Sequence, residues 1–429
     1  MPKTSDSGTL ADPAQSLVHR LIAVLGPGLM LAGAAIGVSH LVQSTRAGAD
    51  YGFSLLWIIV LANVLKYPFF EYSYRFTIAT RQNLLQGYLR RGRWVLGLFF
   101  VLNVITSITS IAGVTFFSAV LAENLFGFGF SYTLWSAVIL ALSIALFVFG
   151  HYRYVEGVIK IMLTVLVLAT LSAAVVAAIK GPLGAVPPPI GLPPELSIAF
   201  LVALLGWMPA PIEASVWNSL WLQAKERQLG RDISLSEARW DFNIGYGLMI
   251  LLALVFMSLG ALVMYGSGET LSNNGSVFSQ QLVQIYGRTL GELWMPVIAA
   301  AALAAMLSSV VTVVDAYPRS LAVALTLLAP RLRLTPDRHH AAWMIVTSCT
   351  ALLIISAFLD NLTRMVDLVT TIAFLSAPVF ALMNYRLITS AQVDAGAQPG
   401  VAMRALSWAG LLFLSGFSLF FLYTRYLAG

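Results

Sequence analysis

The sequence runs Gly-Ala-Ala-Ile-Gly-Val-Ser-His from residue 33 to residue 40 and Gly-Trp-Met-Pro-Ala-Pro-Ile-Glu from residue 206 to residue 213. Both segments interrupt long apolar stretches with residues that weaken or break a helix. In hydrocarbon an unpaired backbone amide costs several kcal/mol, so an interrupted helix persists only where protein or a ligand satisfies its freed groups. Paired interruptions in the two halves of a chain are typical of inverted-repeat transporters and indicate a substrate site near the bilayer midplane.

The composition is that of a polytopic membrane protein. Of the 429 residues, 59% are hydrophobic and only 10% are charged, and the mean hydropathy is +0.83. A soluble domain has a far more polar balance. Eleven apolar stretches are long enough to cross the hydrocarbon layer, which is about 30 Å thick. They lie at 21–44, 53–74, 94–121, 132–149, 155–179, 196–223, 243–265, 291–314, 342–359, 365–385 and 404–426.

The distribution of positive charge predicts the orientation. With the N-terminus placed in the cytoplasm, most of the 25 Lys and Arg residues fall in cytoplasmic segments or at cytoplasmic span ends. We therefore expect a multi-pass protein of the cell inner membrane, with its C-terminus on the extracytoplasmic side. The net charge of +6 then reflects topology, and we expect no nucleic-acid partner. The single cysteine, Cys349, excludes an intramolecular disulfide.

The chain divides into two halves of five spans each. Because each half has an odd number of spans, the second copy must enter the membrane from the opposite face, and the two halves are inverted. A segment from about Ser276 to Tyr286 places Val277, Leu282 and Ile285 among Gln and Ser residues, and it predicts a short amphipathic helix over the outer mouth. The predicted divisions are a disordered cytoplasmic tail (1–18), a first five-helix repeat (19–180), an extracellular Pro-rich connector (181–194), a second inverted repeat (195–390), and a linker with the eleventh span (391–429).

Three side chains at the two interruptions are candidates for substrate contact. Glu213 is a carboxylate at membrane depth, which is a functional candidate by default, although it could instead cap the second half-helix. His40 could bind a metal ion, accept a proton or donate to a freed carbonyl. Met208 offers a thioether, which favours transition metals over Mg²⁺, or it simply packs in the core. The backbone at Gly37 and Gly206, with Ser39 and Thr370, completes the predicted substrate site.

Further polar residues fall within the spans. Ser308, Thr312 and Asp315 recur at helical spacing in the eighth span and, with Gln43 of the first, are predicted to line the pathway. Lys66 and Glu71 are five residues apart, which is too far around a helix for an ideal ion pair. We therefore expect each of them to find a partner elsewhere in the fold.

Signatures of soluble enzymes are missing from the sequence. It contains no Walker loop and no pair of His and Glu at zinc-protease spacing. A membrane enzyme would need a cluster of acid, base and nucleophile, and Glu213 with His40 is the one pairing that can be constructed. We expect no enzymatic activity and no cofactor, with a divalent metal ion as a possible substrate. The expected partners are the lipid bilayer and a small ion or molecule, and the expected state is a monomer.

A set of short motifs lies between residues 26 and 80: Gly26-Pro27-Gly28, Ala47-Gly48-Ala49 with Tyr51-Gly52, Leu55-Leu56-Trp57, Leu61-Ala62-Asn63, Arg75, and Ile78-Ala79-Thr80. These motifs resemble those of the Nramp family of divalent-metal transporters. Weaker matches to the family are Met208-Pro209, Leu307-Ser308-Ser309 with Thr312, and Pro378. The resemblance implies an all-α integral membrane protein with eleven transmembrane helices, in the LeuT-like fold of the APC superfamily. That fold has an inverted 5+5 repeat with broken first and sixth helices, here followed by one extra helix.

The metal site of that family is changed here. Its Asp-Pro-Gly-Asn motif aligns with the segment from Gly37 to His40, so that glycine replaces the carboxylate ligand and histidine the amide ligand. Its Met-Pro-His motif becomes Met208-Pro209-Ala210, which keeps the thioether and loses the histidine. The acidic residues that the family uses for proton transfer fall near Ile111 and Val114, and its tenth-span glutamine falls at Thr370.

Two hypotheses follow from this resemblance. In the first, Glu213, His40 and Met208 rebuild a cation site, and the protein is an alternating-access secondary transporter or symporter of a divalent metal (Mn/Fe-type or Mg). In the second, the scaffold serves another small solute or an anion without proton–metal coupling, since half-helix N-termini and unwound backbone can hold an anion.

Overall fold

The computed structural model describes residues 20–149, 152–193, 195–268, 271–272, 275–292, 295–331, 336–357 and 362–427. Across these ranges every regular element is a helix, as predicted. The expected cytoplasmic tail, residues 1–18, lies outside the described residues.

The first half begins with a helix that is broken near its middle. The helix α1 ends at Ala35, and a π-helical segment, Ser39–Ser44, connects it to α2. The elements of this half are α1 (Pro27–Ala35), α2 (Thr45–Tyr51), α3 (Leu56–Thr80), α4 (Leu84–Arg91), α5 (Arg93–Phe126), α6 (Tyr132–Phe149) and α7 (Tyr152–Lys180).

The second half repeats the broken helix. The helix α8 ends at Gly206, and a short 3₁₀ turn, Ile212–Ala214, leads into α9. The elements are α8 (Ile198–Gly206), α9 (Ser215–Leu229), α10 (Leu235–Val263), α11 (Gly275–Leu290), α12 (Met295–Leu328), α13 (Pro336–Ala357), α14 (Leu362–Ile388) and α15 (Val401–Tyr426).

Both predicted interruptions are confirmed. After α1, Ile36 adopts φ −79° and ψ 65°, which is outside the helical region. After α8 the chain is non-helical from Trp207 to Pro211, where two prolines remove amide donors and oppose helix formation. The chain therefore exposes helix-end carbonyl and amide groups inside the protein at two places.

Seven of the helices are long and apolar enough to cross a membrane within the described part of the chain. The two broken spans fall short of such a length because each is divided between two helices. The count of eleven spans, the two-repeat division and the orientation stay predictions. The segment predicted to be amphipathic is helical, and it forms α11.

The broken helices lie in the interior of the bundle. The helix α10 packs extensively on α1 and α2, α14 packs on α8, and α12 packs on α5 and also contacts α1. The C-terminal helix α15 contacts α3, α14 and α8, and exposes most of its surface. This arrangement agrees with a peripheral role for α15 and encloses the two interruptions.

Candidate functional site

Side chains satisfy the carbonyl groups at the end of α1. The hydroxyl of Ser309, from α12, donates to the carbonyl of Gly33 at 2.9 Å. The hydroxyl of Ser39 donates to the carbonyl of Ala35 at 3.0 Å. A Cβ atom at Gly37 would lie 2.7 Å from Oγ of Ser309, so the glycine lets α12 approach the break closely.

His40 bridges the first break and α10. Its Nδ1 lies 2.9 Å from the carbonyl oxygen of Ala35 and 2.7 Å from Oγ of Ser39, and its Nε2 lies 3.0 Å from the carbonyl oxygen of Met249. The side chain is fully buried. Of the three roles considered from the sequence, the geometry favours hydrogen bonding to a freed carbonyl, because both ring nitrogens already have partners in the protein.

At the second break, a lysine binds the end of the half-helix. Nζ of Lys66, from the middle of α3, donates to the carbonyls of Leu205 at 2.7 Å and Gly206 at 3.1 Å. These are the last two residues of α8. Gly206 also allows close contact with α14, since a Cβ atom there would lie 1.9 Å from the carbonyl oxygen of Thr370.

Glu213 lies just beyond the second break and is completely buried. Its Oε1 accepts a hydrogen bond from the hydroxyl of Tyr317 at 3.2 Å, and its Oε2 has no hydrogen-bond partner. The carboxylate interacts electrostatically with the ammonium of Lys66. A buried carboxylate with an unpartnered oxygen is unfavourable unless a cation or donor reaches it. Met208, at the same break, is also fully buried.

A small cavity of about 30 Å³ lies between the two breaks. Tyr317 lines this cavity, and its hydroxyl donates to Glu213. The Glu213 carboxylate is therefore connected to the cavity wall through Tyr317, although Glu213 itself does not line the cavity. The indole nitrogens of Trp207 and Trp217 belong to two further lining residues and have no hydrogen-bond partner. Apart from Ser39 and Ser110, the remaining wall is apolar: Leu31, Ala34, Ala35, Val38, Val114, Ala210, Pro211 and Val313.

The other predicted site residues lie in two places. Gln43 donates to Oδ1 of Asp367 at 2.9 Å and accepts from Arg46 at 3.0 Å, so it belongs to a network between α2 and α14. Asp315 pairs with Arg319 at 2.5 Å and with His340 at 3.2 Å.

The hydroxyls predicted for the site and pathway bond mainly within their own helices. Thr312 donates to the carbonyl of Ser308, and Thr370 donates to that of Val366. Ser308 donates to Ala305 and only distantly, at 3.5 Å, to Gly33. Their roles in binding or passage stay predictions.

Two residues that contact the broken spans, Tyr317 and Asp241, were not predicted from the sequence. Tyr317 follows Ser309 and Val313 at intervals of four, so the spacing in α12 could have placed it on the same face. Asp241 accepts from the amides of Gly26 at 2.8 Å and Gly28 at 2.7 Å, at the start of α1. No local pattern pairs residues more than 210 positions apart in the chain.

Within the described residues, no group of three or more His, Cys, Asp or Glu side chains could hold a metal ion. A metal ion at the second break would therefore rely on the Glu213 carboxylate and the Met208 thioether, since Lys66 already binds the carbonyls of Leu205 and Gly206.

The family model described as "Natural resistance-associated macrophage protein-like" matches residues 28–424. An uncharacterized protein of Pasteurella multocida is 35% identical over 412 residues, which is 95% of this chain and 94% of that protein. The divalent metal cation transporter MntH of Chromohalobacter salexigens is 31% identical over 149 residues, which is 34% of this chain and 33% of MntH.

The fold is similar to those of solved transporters. A manganese transporter of Eremococcus coleocola superposes with a TM-score of 0.75 at 15% identity, over 96% of this chain and 88% of that one. Mhp1, a nucleobase-cation-symport-1 family transporter solved in a closed conformation, gives a TM-score of 0.61 at 14% identity, over 94% and 93% of the two chains. These similarities confirm the predicted all-α, LeuT-like fold class.

Proposed function

Because the chain belongs to the Nramp family, and is thus an integral membrane protein of a transporter family, we propose that it moves a divalent metal cation by alternating access. The matches to MntH and to a manganese transporter support this cargo. We further propose that the protein is a monomer of the cell inner membrane, with its N-terminus in the cytoplasm.

One observation carries the proposal: Glu213 is fully buried, and its Oε2 has no hydrogen-bond partner. Carboxylate oxygens are ligands for divalent cations, and a cation reaching this oxygen would offset the unfavourable burial of the charge. The Met208 thioether at the same break would favour an Mn/Fe-type ion over Mg²⁺.

The proposed binding site is altered relative to the family pattern. Glu213 replaces the carboxylate that is missing at Gly37, and Met208 keeps the thioether position. His40 contributes by linking the first break to α10, since its two ring nitrogens contact the hydroxyl of Ser39 and the carbonyls of Ala35 and Met249.

The size of the cavity also favours an ion as cargo. Its volume of about 30 Å³ exceeds the roughly 10–15 Å³ that a cavity needs to hold one water molecule, so a small ion fits without a change in the wall. A larger organic solute would require the aromatic side chains of the wall to move apart.

A second candidate function is supported by the wall of the cavity. The indole N–H groups of Trp207 and Trp217 are buried donors without partners, and most of the wall is apolar. Such a wall suits a small solute or anion that carries hydrogen-bond acceptors. The transport experiment below includes this possibility.

The experiment is saturable uptake of Mn²⁺ into proteoliposomes, with Mg²⁺ and small organic acids tested in parallel. We expect Mn²⁺ uptake by the wild type, and a loss of about 30-fold or more in Glu213→Gln, which removes the charge without changing the size of the side chain. The matched control is Glu195→Gln, because Glu195 is an exposed carboxylate before α8.

The outcomes separate the hypotheses. If Glu213→Gln folds and transports Mn²⁺ like the wild type, Glu213 is not a ligand. If the wild type transports no divalent ion and takes up an organic acid, the second candidate replaces the first.

A further inference from the structure

Lys66 is a charged side chain at the centre of a membrane bundle. It lies at the eleventh position of the 25-residue helix α3, and 1% of it is exposed. Its ammonium group donates to the carbonyls of Leu205 and Gly206 at 2.7 and 3.1 Å. Burial of a cation is unfavourable unless the surrounding groups are closely matched to it, so this arrangement calls for a function.

The surroundings of the ammonium form a cation-binding site. The last carbonyls of a helix lack partners within that helix and carry the negative end of its dipole. The interruption after Gly206 leaves such carbonyls in the protein interior, and Glu213 adds a negative charge that interacts with Lys66. Unwound backbone carbonyls and the C-terminal ends of half-helices are the groups that coordinate sodium ions at broken membrane helices.

We propose that Lys66 is a tethered cation, which fills a monovalent-cation site at the C-terminal end of α8 and makes the binding of sodium or potassium there unnecessary. The proposal goes beyond the proposed function, since it concerns the ion requirement of the protein and holds whichever solute is the cargo. Because the ammonium is attached to α3, it cannot leave with the cargo.

Two consequences follow for the protein. The site remains loaded without an ion from solution, so stability and transport are independent of sodium and potassium. Substitution of Lys66 by an uncharged residue leaves the carbonyls of Leu205 and Gly206 beside Glu213 without their cation, and a small monovalent cation then takes its place.

The test compares the thermal unfolding of the purified full-length wild type with that of Lys66→Met, in NaCl, KCl and choline chloride of equal concentration. Equal ionic strength removes general screening as an explanation. We expect the unfolding temperature of the wild type to be the same in the three salts. For Lys66→Met, we expect a lower value in choline chloride and a recovery of about 2–5 °C in NaCl or KCl.

Two further variants sharpen the test. Lys180→Met removes another lysine that donates to a backbone carbonyl, that of Thr289 at 2.7 Å, away from the second break. It should show no sodium or potassium response. Lys66→Gln keeps hydrogen-bond donors without the charge, and it should respond like Lys66→Met.

Two results would overturn the proposal: a wild type that is stabilised by sodium or potassium over choline, or folded Lys66 variants that do not respond to either ion. If both Lys66 variants fail to fold, uptake by the wild type decides, because a sodium or potassium requirement would exclude a tethered cation. Unfolding is measured without metal cargo, so failure of the proposed metal transport leaves this result interpretable.

Discussion

Glu71 and Lys66 lie five positions apart on α3 and bind different kinds of partner. Glu71 pairs with Arg75 at 2.8 Å and with Arg239 at 2.8 Å, whereas Lys66 binds backbone carbonyls. The expectation that each of them finds a partner other than the other is therefore confirmed. The Glu71–Arg75 pair is spaced i, i+4 and could be inferred locally. The partner carbonyl of Lys66 is 139 positions away in sequence and could not.

Substitution of His40 tests whether its contacts at the first break stabilise the fold. Its substitution His40→Gln keeps a polar side chain but cannot reach the carbonyls of both Ala35 and Met249 in the same way. We expect a loss of stability of about 1–3 kcal/mol, as for a buried group left without a partner. The measurement is the unfolding temperature of the purified variant, with Mn²⁺ uptake measured alongside.

The uptake data distinguish support of the fold from coordination of the ion. If His40 only supports the fold, the half-saturating Mn²⁺ concentration of His40→Gln should stay within about twofold of the wild-type value. An increase of about tenfold or more, equivalent to about 1.4 kcal/mol, would instead make His40 a ligand.

At the scale of helices, the sequence located the interruptions better than the helix ends. Glycine and proline mark the breaks because their effects on the backbone are local. The apolar stretch at 243–265 covers only part of α10, which begins at Leu235 after a capping box formed by Ser234 and Glu237. Its first two turns are polar, so a search for apolar stretches does not detect them. The capping sequence itself was available as a signal.

The contact between α2 and α10 depends on glycines. A Cβ atom at Gly260 would lie 2.3 Å from the carbonyl oxygen of Thr45, and one at Gly48 would lie 1.9 Å from that of Met257. Small residues at such positions let two membrane helices approach closely. The second half of the broken first span is therefore held against α10 by backbone contact.

We expect Gly260→Ala to force these helices apart and to destabilise the protein by about 1–3 kcal/mol. The matched control on the same helix is Gly247→Ala, where an added Cβ would meet nothing within 4 Å. Detergent-solubilised yield and unfolding temperature provide the measurement. Equal behaviour of the two variants would contradict the close contact.

At the scale of the whole molecule, ion pairs and hydrogen bonds link the elements at both ends of the broken helices. At one end, Arg46 pairs with Asp367 at 2.9 Å and lies over the ring of Phe200 at 5.1 Å, which joins α2, α14 and α8. At the other end, Asp241 binds the start of α1, and Glu237 pairs with Arg20 at 3.3 Å. The small cavity lies between these two sets of contacts.

The Arg46 contact predicts how access is controlled. A cysteine introduced as Ala210→Cys in a Cys349→Ser background would report access, because Ala210 lines the cavity. We expect Arg46→Gln to increase its labelling by a membrane-impermeant maleimide about 5-fold or more, as loss of one or two kcal/mol from the closed state would allow. Arg425→Gln, at the exposed end of α15, is the control and should leave the rate unchanged.

Unchanged labelling in Arg46→Gln would show that the contact with Asp367 does not hold this side closed.

The fold class followed from composition, paired interruptions and the family resemblance. The partner choices of Arg46 and Asp241 did not, because they join residues 321 and 215 positions apart. Such pairs arise only when the whole bundle assembles.

The two indole rings beside the cavity give the molecule an intrinsic optical reporter. Trp207 and Trp217 belong to opposite sides of the second interruption, and both contribute to the wall. Any occupant that changes the polarity around these rings alters their emission. Loading can thus be followed by ultraviolet fluorescence without a dye. Subtracting the emission of Trp207→Phe from that of the wild type isolates the contribution of Trp207.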